Sequence, residues 1–339
     1  MLRLVVVLVL LAGRAWAAQG EAQAPSPHAI DIPKWFNESF LDVREDIRDA
    51  AKQDKRLLLY FGQDGCPYCK ALMQVTFGQP DIVAKTRRHF TAIALNLWGD
   101  REVTWIDGRI LSEKELGRLL RVQFTPTLLF FDERGAVVLR LNGYAPPEKF
   151  RVALDYVNRR MEARQPFTDF LAGLPPEKGN AALLPEPFFE PGPLDLPRLL
   201  KSSGGPVIVV YERRSCRDCS ELHREGFARP EVRQLLARFK VVQLDLLGAR
   251  PVVTEEGKTA SEREWARSLQ VVNTPSLVFF DPSGKEVFRA EGYMRPFHLA
   301  SALDYVASGA YREEPSFQRY VRQRADAMRT AGETVDLWK

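Results

Sequence analysis

Cysteine is scarce in this chain of 339 residues: there are four, Cys66, Cys69, Cys216 and Cys219, and none lies outside two Cys-x-x-Cys pairs. An exported chain that used cysteine to staple a weak core would scatter the partners, and a chain of this length needs no staples. The four thiols are therefore expected to be reactive. Histidine is equally sparse, and His28, His89, His223 and His298 show no mutual spacing that suggests metal ligands or a catalytic base. Neither sign of charge dominates, with 48 basic residues against 44 acidic ones and a formal net charge of +4. Such a balance selects neither nucleic acid nor acidic lipid as a partner. Beyond the N-terminus no apolar run approaches the roughly 20 residues that span a bilayer, so the mature protein is not expected to be embedded in a membrane.

The N-terminus itself reads Met1-Leu2-Arg3, an apolar run over residues 4–12, Gly13-Arg14, then the small-x-small triplet Ala15-Trp16-Ala17. That layout predicts a secretory signal peptide over residues 1–17, cleaved after Ala17, and hence a periplasmic location. Residues 18–30 are expected to be disordered.

The rest of the chain contains itself twice. At an offset of 150, Cys66-Pro67-Tyr68-Cys69 meets Cys216-Arg217-Asp218-Cys219, and Phe77-Gly78-Gln79-Pro80 meets Phe227-Ala228-Arg229-Pro230. At an offset of 149, Ser112-Glu113-Lys114-Glu115 meets Ser261-Glu262-Arg263-Glu264, and Phe124-Thr125-Pro126-Thr127 meets Asn273-Thr274-Pro275-Ser276. Phe130-Phe131-Asp132, Gly143-Tyr144 and Leu154-Asp155-Tyr156-Val157 recur in the same register. Matches this widely spread indicate a duplicated domain and not a short-period solenoid.

Each copy alternates strand and helix, which predicts an α/β class. In the first, 56–61 is a buried strand, and the Cys66 pair opens a helix reaching toward residue 84. A second strand follows at 90–97, then a helix at 112–121 with a Ser-x-x-Glu capping box. Strands at 127–131 and 136–141 flank the turn Asp132-Glu133-Arg134-Gly135, and a helix over 147–160 closes the copy. A further helix is expected within 35–51. The domains expected are 31–164 and 206–310, joined by a proline-rich semi-rigid connector over 165–205 that lets two self-sufficient cores move apart, although its short apolar stretches Leu183-Leu184 and Phe188-Phe189 could pack on a domain surface. In the tail, 311–339, Phe317, Tyr320, Val321, Ala325 and Met328 follow helical spacing, so this extension is expected to pack on the second domain.

A strand that runs into a turn and then into Cys-x-x-Cys at a helix start is what a redox dithiol needs. The helix start supplies free N–H groups and partial positive charge, which favour thiolate at the first cysteine. Cys66 and Cys216 are the expected nucleophiles; Cys69 and Cys219 release the mixed disulfide. Pro67 and Tyr68 bring no charge to the first pair. In the second, Arg217 favours the Cys216 thiolate and Asp218 opposes it, so the two sites are expected to be unequal, the first being the stronger reductase. Two such pairs also suit zinc or copper, but 147 positions separate Cys69 from Cys216, and each pair lies in its own complete repeat; no metal site is expected. Dithiol exchange needs no bound cofactor, and none is expected.

These motifs resemble the thioredoxin superfamily over most of residues 31–310, in two tandem copies: the dithiol, the later Thr-Pro, the Phe-Phe-Asp strand end and the Gly-Tyr. The resemblance implies a central mixed sheet flanked by helices. It also implies that Pro126 and Pro275 are cis-prolines facing the dithiols, and that Thr125 and Thr274 present backbone to a client chain. The inserted stretch 98–110 and the ending from Phe317 to Trp338 look like the periplasmic SoxW-type thioredoxin-related proteins. Where thioredoxin has a Trp before its dithiol and a buried Asp six residues before it, this chain has Gly65 and Tyr60, then Ser215 and Val210. The function implied is a periplasmic disulfide reductase or electron relay. Its partners would be oxidised client proteins and a membrane electron carrier of the DsbD or CcdA type. The layout equally permits a disulfide isomerase or oxidase, or a client-binding or metal-binding module with little catalysis.

Overall fold

The computed structural model describes residues 29–175, 181–335 and 337. The expected signal peptide, and the expected disordered segment apart from residues 29 and 30, lie outside the described residues. Repeat 1 is built around β1 (Arg56–Gly62), in which every residue is buried. Side chains alternate across a strand: Leu58 and Tyr60 enter one core layer, while Leu57, Leu59 and Phe61 enter the other. A strand covered on both faces needs helices on both sides. On the first face lie a short helix α2 (Pro67–Ala71), a π-helical turn (Leu72–Thr76), α3 (Pro80–His89) and the closing helix; on the second lie α1 (Val43–Lys52) and α4 (Glu113–Leu119).

The sheet is completed by β2 (Phe90–Asn96), parallel to β1, by β5 (Thr127–Phe131), antiparallel to β1, and by β6 (Val137–Asn142), antiparallel to β5, in the order β2-β1-β5-β6. Between β2 and α4 a small hairpin, β3 (Glu102–Thr104) with β4 (Ile110–Ser112), accounts for the inserted stretch. The helix α5 (Pro147–Asn158) closes the repeat. Two sequence expectations change here. The helix starting at the dithiol does not run to residue 84, because Gly78 and Pro80 break it and Pro80 begins α3 afresh. The first helix begins only at Val43, capped by the Asp42 carboxylate; Trp35 and Phe36 instead dock edge-on against Phe77.

The stretch 165–205 is not a free connector. Its start forms α6 (Phe167–Ala172), whose Phe167 and Phe170 pack on Tyr156 of repeat 1. Its end forms α7 (Leu196–Ser203), whose Leu196 and Leu200 enter the core of repeat 2. Between them Phe188 and Phe189 dock edge-on against Phe227, as Trp35 and Phe36 do against Phe77.

Repeat 2 then reproduces the first: β7 (Val207–Glu212), α8 (Arg217–Glu221), a π-helical turn (Leu222–Phe227), α9 (Pro230–Leu236), β8 (Lys240–Asp245), β9 (Pro251–Val253), β10 (Thr259–Ser261), α10 (Glu262–Ser268), β11 (Ser276–Phe280), β12 (Glu286–Glu291) and α11 (Pro296–Ala307). Both expected capping boxes form, at Ser112 with Glu115 and at Ser261 with Glu264. The final helix α12 (Phe317–Thr330) buries Phe317, Val321 and Ala325, the first two in the core of repeat 2. Among the described residues no helix is long and apolar enough to cross a membrane.

The repeats pack on one another through reciprocal contacts. Phe124 of repeat 1 is buried in the core of repeat 2, 5.3 Å from the Phe288 ring and 5.5 Å from Phe317, a burial worth about 1.5–3 kcal/mol. Val272 packs against the core of repeat 1 in return. Asn142 donates to Glu291, its own counterpart 149 positions on, at 2.6 Å. Beside it a Cβ at Gly143 would sit 2.6 Å from the Glu291 carbonyl oxygen, so the recurring Gly-Tyr marks a close backbone approach. Arg267 pairs with Asp169 at 2.7 Å, and Gln318 of α12 meets Gln63 of repeat 1 at 2.9 Å. The expectation of two cores free to move apart is therefore replaced by a packed pair.

Candidate functional site: two dithiols at a repeat interface

The first dithiol begins where β1 ends. Gly65 takes a left-handed φ of +74°, turning the chain so that Cys66 caps α2 in an extended conformation. Pro67 occupies the first turn, where its missing N–H costs nothing. The Cys69 N–H donates to Cys66 Sγ at 3.0 Å. Facing the sulfur is the Thr125–Pro126 loop, whose peptide bond is cis. The Cys66 thiol donates to the Thr125 carbonyl at 3.3 Å, and the Thr125 hydroxyl donates back at 3.4 Å. Cys66 and Thr125 line a groove of about 520 Å³, walled by Tyr144 and by Met294, His298 and Phe317 from beyond the repeat boundary.

The two sulfurs of this site differ. Cys69 is fully buried and does not line the groove. Burial pushes the Cys66 thiol up, opposed by the hydrogen bonds it accepts. At Cys69 burial also disfavours charge, but the neighbouring Cys66 thiol and Tyr60 hydroxyl outweigh it, and the pKa falls. Charge in the resting pair thus lies toward the inner sulfur, whereas the helix start alone was expected to put the thiolate on Cys66. Tyr60 reaches this place because position 62 is glycine: a Cβ there would lie 2.0 Å from the Tyr60 hydroxyl oxygen.

The second dithiol has the same frame. Cys216 caps α8, the Cys219 N–H approaches Cys216 Sγ at 3.1 Å, and Thr274–Pro275 is cis. Cys216 and Cys219 are joined as a disulfide, while Cys66 and Cys69 are free thiols. What differs is the cover. Ala182, Leu183 and Leu184 lie over the pair and leave a void of only about 10 Å³. They are held by Gln243, which donates to the Leu184 carbonyl at 2.8 Å, and by Glu186, which meets His223 Nδ1 at 2.9 Å. His223 Nε2 meets the buried Glu212 carboxylate at 3.0 Å. Burial opposes charge on this imidazole, but the two carboxylates outweigh it and raise its pKa.

The charges between Cys216 and Cys219 both find partners on repeat 1. Arg217 turns to Glu148 of repeat 1 at 3.1 Å, and Asp218 pairs with Lys149 of repeat 1 at 2.8 Å. Each insert charge is thus paired across the interface. At the first site Tyr68 also points across, its oxygen accepting the Arg295 N–H at 2.8 Å. A cleft of about 660 Å³ is lined by Pro67 and Tyr68 from one insert and by Arg217 and Asp218 from the other.

Sequence reasoning missed Tyr60, Glu212, His223 and Lys149. A signal for the first two was available: in register, Tyr60 and Gly62 become Val210 and Glu212. The polar group behind the dithiol moves two places along the strand when its first position turns aliphatic. Lys149 and His223 gave no such signal, since their partners lie across a boundary or in the connector.

A thioredoxin-like domain family matches residues 43–158 and again 197–307, more than half of the chain. Among curated proteins the chain is similar to the thiol:disulfide interchange protein DsbD of Pectobacterium atrosepticum, with 32% identity over 102 residues, 30% of this chain and 16% of that protein. DsbD of Tatumella citrea shows 28% identity over 112 residues, 32% of this chain and 18% of that protein. The chain therefore spans less than a fifth of the length of these relatives. Solved structures similar to it include a thioredoxin-fold protein from Helicobacter pylori, with 24% identity and a TM-score of 0.32 over 40% of this chain and 92% of that one. The C-terminal domain of Neisseria meningitidis DsbD in its oxidised form follows with 19% identity and a TM-score of 0.25, over 34% and 91%.

Proposed function

Since the chain belongs to the thioredoxin-like domain family, twice over, we propose that it is an exported thiol–disulfide oxidoreductase that reduces protein disulfides at Cys66 and Cys69. The observation that carries this reading is the groove in which Cys66 stands beside the Thr125 backbone while Cys69 stays buried behind it. A client disulfide entering the groove meets Cys66 first. As Cys66 Sγ attacks, its proton passes inward to Cys69, a Cys66–client disulfide forms, and one client sulfur leaves as thiolate. Cys69 then gives up its proton and attacks Cys66 Sγ; the mixed disulfide breaks, the second client thiolate leaves, and Cys66–Cys69 is oxidised. Two electrons and two protons from an outside reductant restore the dithiol. A membrane carrier of the DsbD or CcdA type suits that role, as does a periplasmic setting reached through residues 1–17.

The test is reduction of a protein disulfide by dithiothreitol, catalysed by protein recovered from the periplasmic fraction, where the chain should begin at Ala18. Cys66→Ala is expected to lower the rate at least a hundredfold and Cys216→Ala less than threefold. Equal losses would remove the case for the first dithiol as the client site. A Cys66–Cys69 potential near the oxidising end of the family range, about −120 mV, would favour an oxidase instead.

A further inference from the structure

Lys149 on α5 and His298 on α11 occupy equivalent positions 149 residues apart, and both reach across the repeat boundary. They do different things there. The Lys149 ammonium donates to the Thr274 carbonyl at 2.5 Å, to Asp218 Oδ2 at 2.8 Å and to Asn273 Oδ1 at 3.3 Å. The side chains of Lys149 and Asp218 are only 15% and 12% exposed, so this cation is fixed and largely dry. His298 lies edge-on to Tyr68 at 5.2 Å, its Nδ1 is without a hydrogen-bond partner, and the Thr125 carbonyl is left to the Cys66 thiol beside the groove.

An extended chain that docks beside a sulfur must satisfy the peptide groups it buries, and main-chain groups next to that sulfur are what it bonds. In repeat 1 such a carbonyl faces the groove. In repeat 2 the equivalent carbonyl is already held by a charged donor, among the stronger hydrogen bonds available to it. We propose that Lys149, carried by repeat 1, caps the main-chain carbonyl that a client chain would bond at the second dithiol, adding to the connector's cover a barrier to polypeptide clients that the other half of the molecule supplies. This rests on the reading of both dithiols as exchange sites.

The full-length chain with Cys66→Ala and Cys69→Ala isolates the second site. Its disulfide is reduced in parallel by 2-mercaptoethanol and by a ten-residue peptide bearing one cysteine. In each case a probe thiolate attacks Cys216 Sγ, the Cys216–Cys219 bond breaks, and Cys219 leaves as a thiolate that takes a proton from water. A second probe thiol completes the reduction. The quantity read is the ratio of peptide to mercaptoethanol rate, which a general loosening of the site or a change in thiol pKa moves little. Lys149→Met combined with Asp218→Asn leaves no buried charge unpaired and is expected to raise the ratio at least tenfold. Asp218→Asn alone, which keeps the side-chain shape, should raise it less, and Lys149→Arg should leave it low. An unchanged ratio in the double variant, with mercaptoethanol still reacting, overturns the role of Lys149 and spares the wider reading. Failure of mercaptoethanol to reduce the bond in any variant overturns the second dithiol as an exchange site, and the role of Lys149 with it, while sparing the first site.

Discussion

The first dithiol looks out on a groove of about 520 Å³ and the second on a void of about 10 Å³, although both sit at the same helix start beside the same cis Thr-Pro loop. The difference is made by residues outside the motif. Repeat 1 sends Lys149 and Glu148 over the second insert, and the connector lays Leu183 and Leu184 over its sulfurs. A Cys-x-x-Cys motif thus specifies where two sulfurs stand and says little about who can reach them; access is a property of the assembly around the motif.

The largest way to break this comparison is to pull the repeats apart. Phe124→Ala removes the ring that repeat 1 inserts among Phe288 and Phe317, where the in-register residue of repeat 2 is Asn273, which binds Lys149 instead. The expected loss is about 3–5 kcal/mol in urea unfolding. A loss below about 1 kcal/mol would mean that the ring is not part of that core.

A smaller change makes the first site more like the second. Tyr60→Phe deletes the hydroxyl that lowers the Cys69 pKa. The sign is upward, because the thiolate loses a polar neighbour that favours it. Below the pKa the thiolate fraction then falls, offset only in part by the rise in intrinsic nucleophilicity. Resolution of a Cys66 mixed disulfide should therefore slow modestly near pH 7 and not at alkaline pH. A uniform slowing across pH would point to packing and not to proton affinity.

The smallest effect is expected in the turns before the dithiols, where Gly65 has φ +74° and Ser215 φ +54°. A left-handed serine costs of order 1 kcal/mol, but glycine loses about 0.5–1 kcal/mol more backbone entropy on folding, and a Cβ at position 65 meets nothing within 4 Å. Gly65→Ser should shift stability by less than about 0.5 kcal/mol. A cost above about 2 kcal/mol in thermal melts would show that the two turns are not equivalent.

Much of the fold was legible because duplication printed it twice. The cysteines, the Thr-Pro loops, the capping boxes and the Gly-Tyr turns each recur in register, and each marks a local requirement. The proline-rich stretch was misread for a physical reason. Pro166 caps α6 and Pro197 sits in the first turn of α7, and proline is as much at home at a helix start as in a linker. The equivalence of the two aromatic pairs escaped notice because Trp35-Phe36 and Phe188-Phe189 are 153 positions apart and not 149. At the site, the sulfurs and Thr-Pro loops could be named from sequence, whereas the reach of Lys149 to Thr274 depends on how two finished domains dock, and no local pattern encodes that.

The meeting of Asn142 with Glu291 at 2.6 Å places a residue against its own counterpart, as happens on the axis of a symmetric dimer. In two identical subunits a glutamate there would face a glutamate and repel it, and an asparagine could only face asparagine. Carrying both copies on one chain lifts that restriction, so each half can keep the partner the other half needs. It also makes the pairing intramolecular, with a high effective concentration set by the tether. Dilution would dissociate a weak homodimer, but it leaves this pairing, and the unequal sites that depend on it, intact.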